Sequence, residues 1–152
     1  MIDNIDIKIL SLLQKNARIS NAEIARQLKM APSGILERIR KLRERGIIQG
    51  YVTRLNPKTI NMDLLAYVFI KTNEKREKWD VAEMVAQIPE VLEIHDIAGE
   101  DCYLVKLRTK NTEALYELLR TKFGSIPSIA STRTTIVLRT IKETTMLPLG
   151  QC

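Results

Sequence analysis

Five cations crowd one short stretch, Arg38-Ile-Arg-Lys-Leu-Arg-Glu-Arg45, with Ser33, Gly34 and Glu37 just upstream. Cations repeated at helical spacing bind a polyanion through its phosphates, and a guanidinium can also pair bidentately with guanine. At about 100° per residue, Ile35, Ile39 and Leu42 form one buried stripe. Ser33, Glu37, Arg40, Lys41 and Glu44 lie opposite it, with Gly34 and Arg38 on one flank. The first two turns of such a helix reach base edges, so Ser33, Gly34, Glu37 and Arg38 are predicted to face the bases, with Arg38 the foremost reader. Arg40, Lys41, Arg43 and Arg45 are predicted to hold phosphates. The competing reading is a solvated, highly charged surface helix.

The flanking signals favour the nucleic-acid reading. Ser20 and Glu23 have the spacing of a capping box, after which Ile24, Ala25 and Leu28 recur on one helical face. Pro32 suits the first position of a second helix, Ala31 is a poor cap before it, and Gly46 suits a left-handed stop. Short helix, tight turn and longer basic helix make a helix-turn-helix, and Ser20 and Asn21 at its start join the DNA-facing set. Asp3 is the expected cap of an earlier helix ending near Asn16, with Asp6 at the positive end of its dipole. Ile5, Ile9, Leu10 and Leu13 complete a small three-helix core.

The net charge of +6 is unevenly placed. Residues 1–60 hold 12 Lys/Arg against 5 Asp/Glu, and residues 61–152 hold 12 against 13. A basic module is therefore joined to a nearly neutral one with another task. No stretch resembles a secretory signal or a run of about 18 apolar residues, so a soluble, cytoplasmic protein is expected. Cys102 and Cys152 have neither metal-site spacing nor a disulfide framework, and a single histidine, His95, gives little basis for a metal site or catalytic triad. No cofactor and no enzymatic activity are expected. Trp79 reads as a packing anchor and Cys152 as part of a loose tail.

Residues 47–55 have strand character, and Asn56-Pro57 and Asn61 mark a linker, so the expected division is 1–50, 51–62 and 63–152. The last part alternates strand and helix periods. Strands are expected at 64–72, 91–98, 102–109 and 129–141. Helical stripes run through Val81, Met84, Val85 and Ile88, and through Leu115, Leu118, Leu119 and Phe123. The order βαββαβ is that of the ferredoxin-like fold, so the chain is an α+β protein with a three-helix head. One sheet face would stay open, with Tyr67, Phe69, Ile94, Ile136 or Leu138 on it. A second copy of the chain is the economical cover.

Asp6-Ile-Lys-Ile-Leu10, Asn16-Ala-Arg-Ile-Ser20, Arg38-Ile-Arg-Lys-Leu42 and Gly46-Ile-Ile-Gln-Gly50 together resemble the leucine-responsive/asparagine-responsive (Lrp/AsnC) transcription regulators. So do Pro89-Glu-Val91, Gly99-Glu-Asp-Cys-Tyr103 and Ser131-Thr-Arg-Thr134, in the same order along nearly the whole chain. The resemblance implies a winged or plain helix-turn-helix on double-stranded DNA, a ferredoxin-like effector domain, homodimers often assembling into octamers, and a small-molecule effector, usually an amino acid. It also implies an effector site at Gly99, Glu100, Asp101, Cys102 and Tyr103. The family pattern there resembles Gly-Asp-Tyr-Asp-Tyr, so Asp101 and Cys102 depart from it. Thr132 and Thr134 on the last strand are further hydroxyl candidates. Two other classes fit the scaffold: a sirohaem-decarboxylase-like enzyme and an effector-binding protein that has lost DNA binding. The intact basic helix argues against both.

Overall fold

The computed structural model describes residues 2–73 and 80–150, so Trp79 and Cys152 lie outside the described residues. The chain divides into two compact units, residues 1–54 with 142–152, and residues 55–141.

The first unit contains α1 (Asn4–Lys15), α2 (Asn21–Leu28) and α3 (Pro32–Glu44). Ile9, Ile24 and Ile35 are wholly buried between them, beside Leu10, Leu13, Ala25, Ile39 and Leu42. The full capping box belongs to α1. Asp6 N–H donates to Asp3 Oδ1 at 2.8 Å, and Asp3 N–H donates back to Asp6 Oδ2 at 3.3 Å. At α2 only half of the expected box forms. Glu23 N–H donates to Ser20 Oγ at 3.1 Å, while the Glu23 carboxylate accepts from Arg26 and Gln27 instead. An arginine one turn away offers a carboxylate two charge-assisted bonds, which outweighs one bond to a backbone amide.

Both turns of the motif end in the left-handed region. Lys29 has φ 53°, and Met30 N–H reaches back to Ala25 O at 2.9 Å. Gly46 has φ 69°, and Ile47 and Ile48 N–H both donate to Leu42 O. This corrects the strand expected over 47–55. The first two amides of that segment close the end of α3, and Ile47 and Ile48 pack on the helical core. The rest has no ladder partner among the described residues, and β propensity without a partner does not make a strand.

The stretch after residue 141 touches the helical unit. Gln14 Nε2 donates to Leu147 O at 3.1 Å, Leu147 N–H donates to Gln14 Oε1 at 2.7 Å, and Leu149 packs on the three-helix core. Residues 142–150 form a strap on the helices, held at Leu147 and Leu149.

The second unit contains β1 (Leu64–Thr72), α4 (Asp80–Ala86), β2 (Val91–Asp96), β3 (Tyr103–Thr109), α5 (Thr112–Leu118) and β4 (Ile129–Ile136). A wide π-helical turn over Leu119–Phe123 follows α5. The four strands pair antiparallel in the order β2-β3-β1-β4, the topology of the expected ferredoxin-like fold. β4 stops short of Ile141 because its partner β1 begins at Leu64. Val137 N–H makes the last bond, to Leu65 O. Ala66, Val68, Ile70, Tyr103, Val105 and Leu107 fill the face covered by α4 and α5, where Val81, Val85, Leu115, Leu118 and Phe123 meet them. Met84 is half exposed and lies outside that stripe.

Register corrects the open face. Residues directly paired across antiparallel strands share a face. Ile94 pairs with Val105, and Ile136 pairs with Ala66, so both point to the helix side. Leu138 lies beyond β4 and is exposed. Tyr67 and Phe69 do lie on the open face, joined by Leu65 and Leu104.

Candidate functional site: the helix-turn-helix head and the Gly99 loop

On α3 the cations do not stand alone. Arg40 donates from Nε and Nη2 to the two oxygens of Glu37 at 2.9 and 2.5 Å, and its Nη1 bonds Glu44. Lys41 lies 3.5 Å from Glu37 as well. Arg40 holds the Glu37 carboxyl at a pKa of about 2, while the paired carboxylates raise the pKa of Arg40 itself. The exposed face is therefore a chain of ion pairs along the helix.

Arg38 is engaged differently. Its Nη1 donates to Asp3 Oδ2 at 2.6 Å and to Asp6 Oδ1 at 2.8 Å, joining α3 to the cap of α1. The Asp6 backbone N–H, then the Arg38 guanidinium, hold the Asp3 carboxyl below its ordinary value. Nη1 thus ties α3 to the start of α1, and these two bonds do not use the Nε–H and Nη2–H edge of the guanidinium.

The N-terminus of α3 has no side-chain cap; Pro32 lacks an N–H, and Gly34 N–H turns back to Ala31 O at 3.0 Å. Ser33 is exposed beside it. A Cβ added to Gly34 would sit 3.7 Å from Met30 Cε, an ordinary contact, so packing inside this unit does not require glycine there. Ser20 caps α2, with Asn21 next to it at the same helix start.

In the second unit the residues expected around the loop separate. Gly99 and Glu100 are exposed at the tip. Asp101 reaches Arg133 on β4, whose Nη2 donates to Asp101 Oδ2 at 2.8 Å. The Arg133 guanidinium lies 4.0 Å above the Phe69 ring, so this pair crosses β1 on the open face. Cys102 is drawn into the sheet edge. Its N–H donates to Ile70 O at 2.8 Å, and its Sγ accepts from Thr72 Oγ1 at 3.5 Å. Tyr103 is buried in the core facing α4 and α5. Thr134 pairs with Val68 on that same side, the face opposite Arg133. The fold thus joins Asp101 to Arg133, while Tyr103 and Thr134 face the helix side of the sheet. Arg133 lies within the Ser131–Thr134 motif but was not singled out there, because only register sets it beside Phe69.

Among the described residues no cluster of His, Cys, Asp and Glu is arranged to hold a metal, and no helix is long and apolar enough to cross a membrane.

A winged helix-turn-helix DNA-binding family model matches residues 2–49, and the Lrp/AsnC ligand binding domain model matches residues 65–147. The HTH-type transcriptional regulator FL11 of Pyrococcus horikoshii is 39% identical over 148 residues, covering 97% of each chain. The leucine-responsive regulatory protein of Escherichia coli K12 is 37% identical over 96% of this chain and 90% of its own. The transcriptional regulator NMB0573 of Neisseria meningitidis, solved as an L-Met complex, superposes with a TM-score of 0.92 at 32% identity, over 98% of this chain and 97% of that one.

Proposed function

The chain belongs to the Lrp/AsnC family of transcription regulators, and from that premise we propose how its own residues divide the work of reading DNA and sensing a small molecule. The observation that carries the reading is the joining, in one chain, of a basic helix-turn-helix head to an antiparallel sheet with one face uncovered.

Ser33, Gly34 and Glu37 face the base edges. Exposure of Ser33, and the absence of any packing need for glycine at position 34, support a close approach there. Arg40 and Lys41 exchange Glu37 and Glu44 for phosphates, while Ser20 and Asn21 approach the backbone at the start of α2. Arg38 positions α3 through Asp3 and Asp6.

The effector is an amino acid, consistent with the L-Met bound to the Neisseria relative. It binds at Gly99, Glu100 and Asp101 with Arg133, where an acid and a guanidinium can answer an ammonium and a carboxylate. Cys102 shapes the loop from below. The assembled form is a homodimer that builds to an octamer, supported by the apolar groups Tyr67, Phe69 and Leu104 on the open face. The protein works in the cytoplasm, without cofactor or catalysis.

Fluorescence anisotropy on duplexes selected from a random library, with and without each common amino acid, tests this reading. Affinity is expected to fall steeply between low and physiological salt and to change with at least one amino acid. Salt-independent binding would remove the phosphate assignments, and indifference to every amino acid would remove the effector assignment.

A further inference from the structure

The exposed side of α3 carries one large apolar side chain, Leu36, which is 57% exposed amid Ser33, Glu37 and Arg40. A single exposed leucine is unremarkable. This one has neighbours: with Ile39 and Ile48 it floors a shallow groove whose rim carries Arg40, Arg43, Glu44 and Gln49. Arg38 establishes how that groove is aimed. Its flank of α3 is tied to the start of α1, and Leu36 lies roughly 160° around the helix from it at 100° per residue. The Leu36 flank is thus turned away from the contact with α1. Leu36 is also in the first two turns, where helices of this motif meet base edges.

We propose that Leu36 is a specificity-determining residue that packs against the C5-methyl group of thymine in the major groove, with Arg40 and Arg43 holding the flanking phosphates. The thymine methyl is the one apolar group on the base edges of that groove, so an apolar floor flanked by two arginines, one of them free to trade Glu37 and Glu44 for phosphate, suits DNA there. The inference rests on the DNA-reading function and adds a chemical preference to it. Sites chosen by this protein contain a thymine in each half-site whose methyl group matters.

The test uses the full-length chain and duplexes selected from a random library. Each thymine is replaced in turn by deoxyuridine, which removes only the methyl group. The wild type should lose about fourfold in affinity at one or more thymines per half-site, the worth of one buried methyl-sized group. Leu36→Ala and Leu36→Gln, with the fold checked by circular dichroism, should bind more weakly and show no deoxyuridine penalty at those positions. Retention of the wild-type penalties by both variants overturns the inference. So does a change in oligomer size with an unchanged deoxyuridine profile, which would identify the groove as a contact between copies. A wild type that binds specifically but ignores every deoxyuridine removes the Leu36 role alone. A wild type that binds no duplex removes the DNA-reading premise as well.

Discussion

Arg38 on α3 donates to Asp6 on α1 at 2.8 Å, and the Asp6 side chain is only 10% exposed. The recognition helix is thereby fastened to the capping box of the helix behind it. The same aspartate that helps cap α1 receives the arginine, so helix start and helix orientation are coupled through one carboxylate.

Removing that arginine leaves the buried Asp6 carboxylate without its cation. Arg38→Ala is expected to cost about 1–3 kcal/mol of stability, the range for losing a charged partner at a poorly solvated site. Chemical denaturation of the full chain measures it. DNA affinity should fall by a similar factor on every sequence; a loss confined to guanine-containing sites would return Arg38 to base readout.

Acid titration should reveal the Glu37–Arg40 pair. The Glu37 carboxyl is held at about 2, below its ordinary 4.5. A depressed folded value means that the stabilisation is fully present above the unfolded value and is lost as pH falls through the folded one. The difference in thermal midpoint between wild type and Glu37→Gln is therefore expected to be constant above pH 5 and to shrink between pH 4.5 and 2. A difference that grows on acidification would contradict the pairing.

Lys29 occupies the left-handed position between α2 and α3, at φ 53°. A side chain there costs about 1 kcal/mol more than glycine does. Lys29→Gly should raise the denaturation midpoint with no change in the slope of the transition. A lowered midpoint would mean that the lysine side chain contributes more than its backbone strain.

The strap over residues 142–150 should stabilise the helices that it touches. Ending the chain after Ile141 removes both Gln14–Leu147 hydrogen bonds and the packing of Leu149, and roughly 1–2 kcal/mol is expected to go with them. Hydrogen exchange should show the loss in α1 and leave β1 and β3 protected.

Arg133→Ala should leave effector-free DNA binding within about twofold of wild type while abolishing any amino-acid response. Thermal shift reads this directly, since a ligand at 100 times its dissociation constant adds about 2.7 kcal/mol to the wild type. An unchanged shift in the variant would detach Arg133 from the effector site.

Much of the fold was legible in the chain because it depends on local patterns. Periods of helix and strand, Asp3 and Ser20 as caps, Gly46 as a stop and the βαββαβ order are all short-range properties, and each recurs in the structure. The charge division between residues 1–60 and the rest is pure composition. What failed depended on which of several partners a group found. Residues 47–55 look like a strand but lack a ladder, and Glu23 prefers Arg26 to its own cap. Leu147 and Leu149 meet helices that begin the chain. The site follows the same division: the basic helix and the Gly99 loop could be read from residue types. Whether Arg38 faces DNA or Asp6, and whether Asp101 meets Arg133, was decided by the packing of α1 on α3 and by the register of β1 with β4. A side chain's type is set one residue at a time, but its charged partner is chosen by whichever distant segment the tertiary fold brings within about 3 Å.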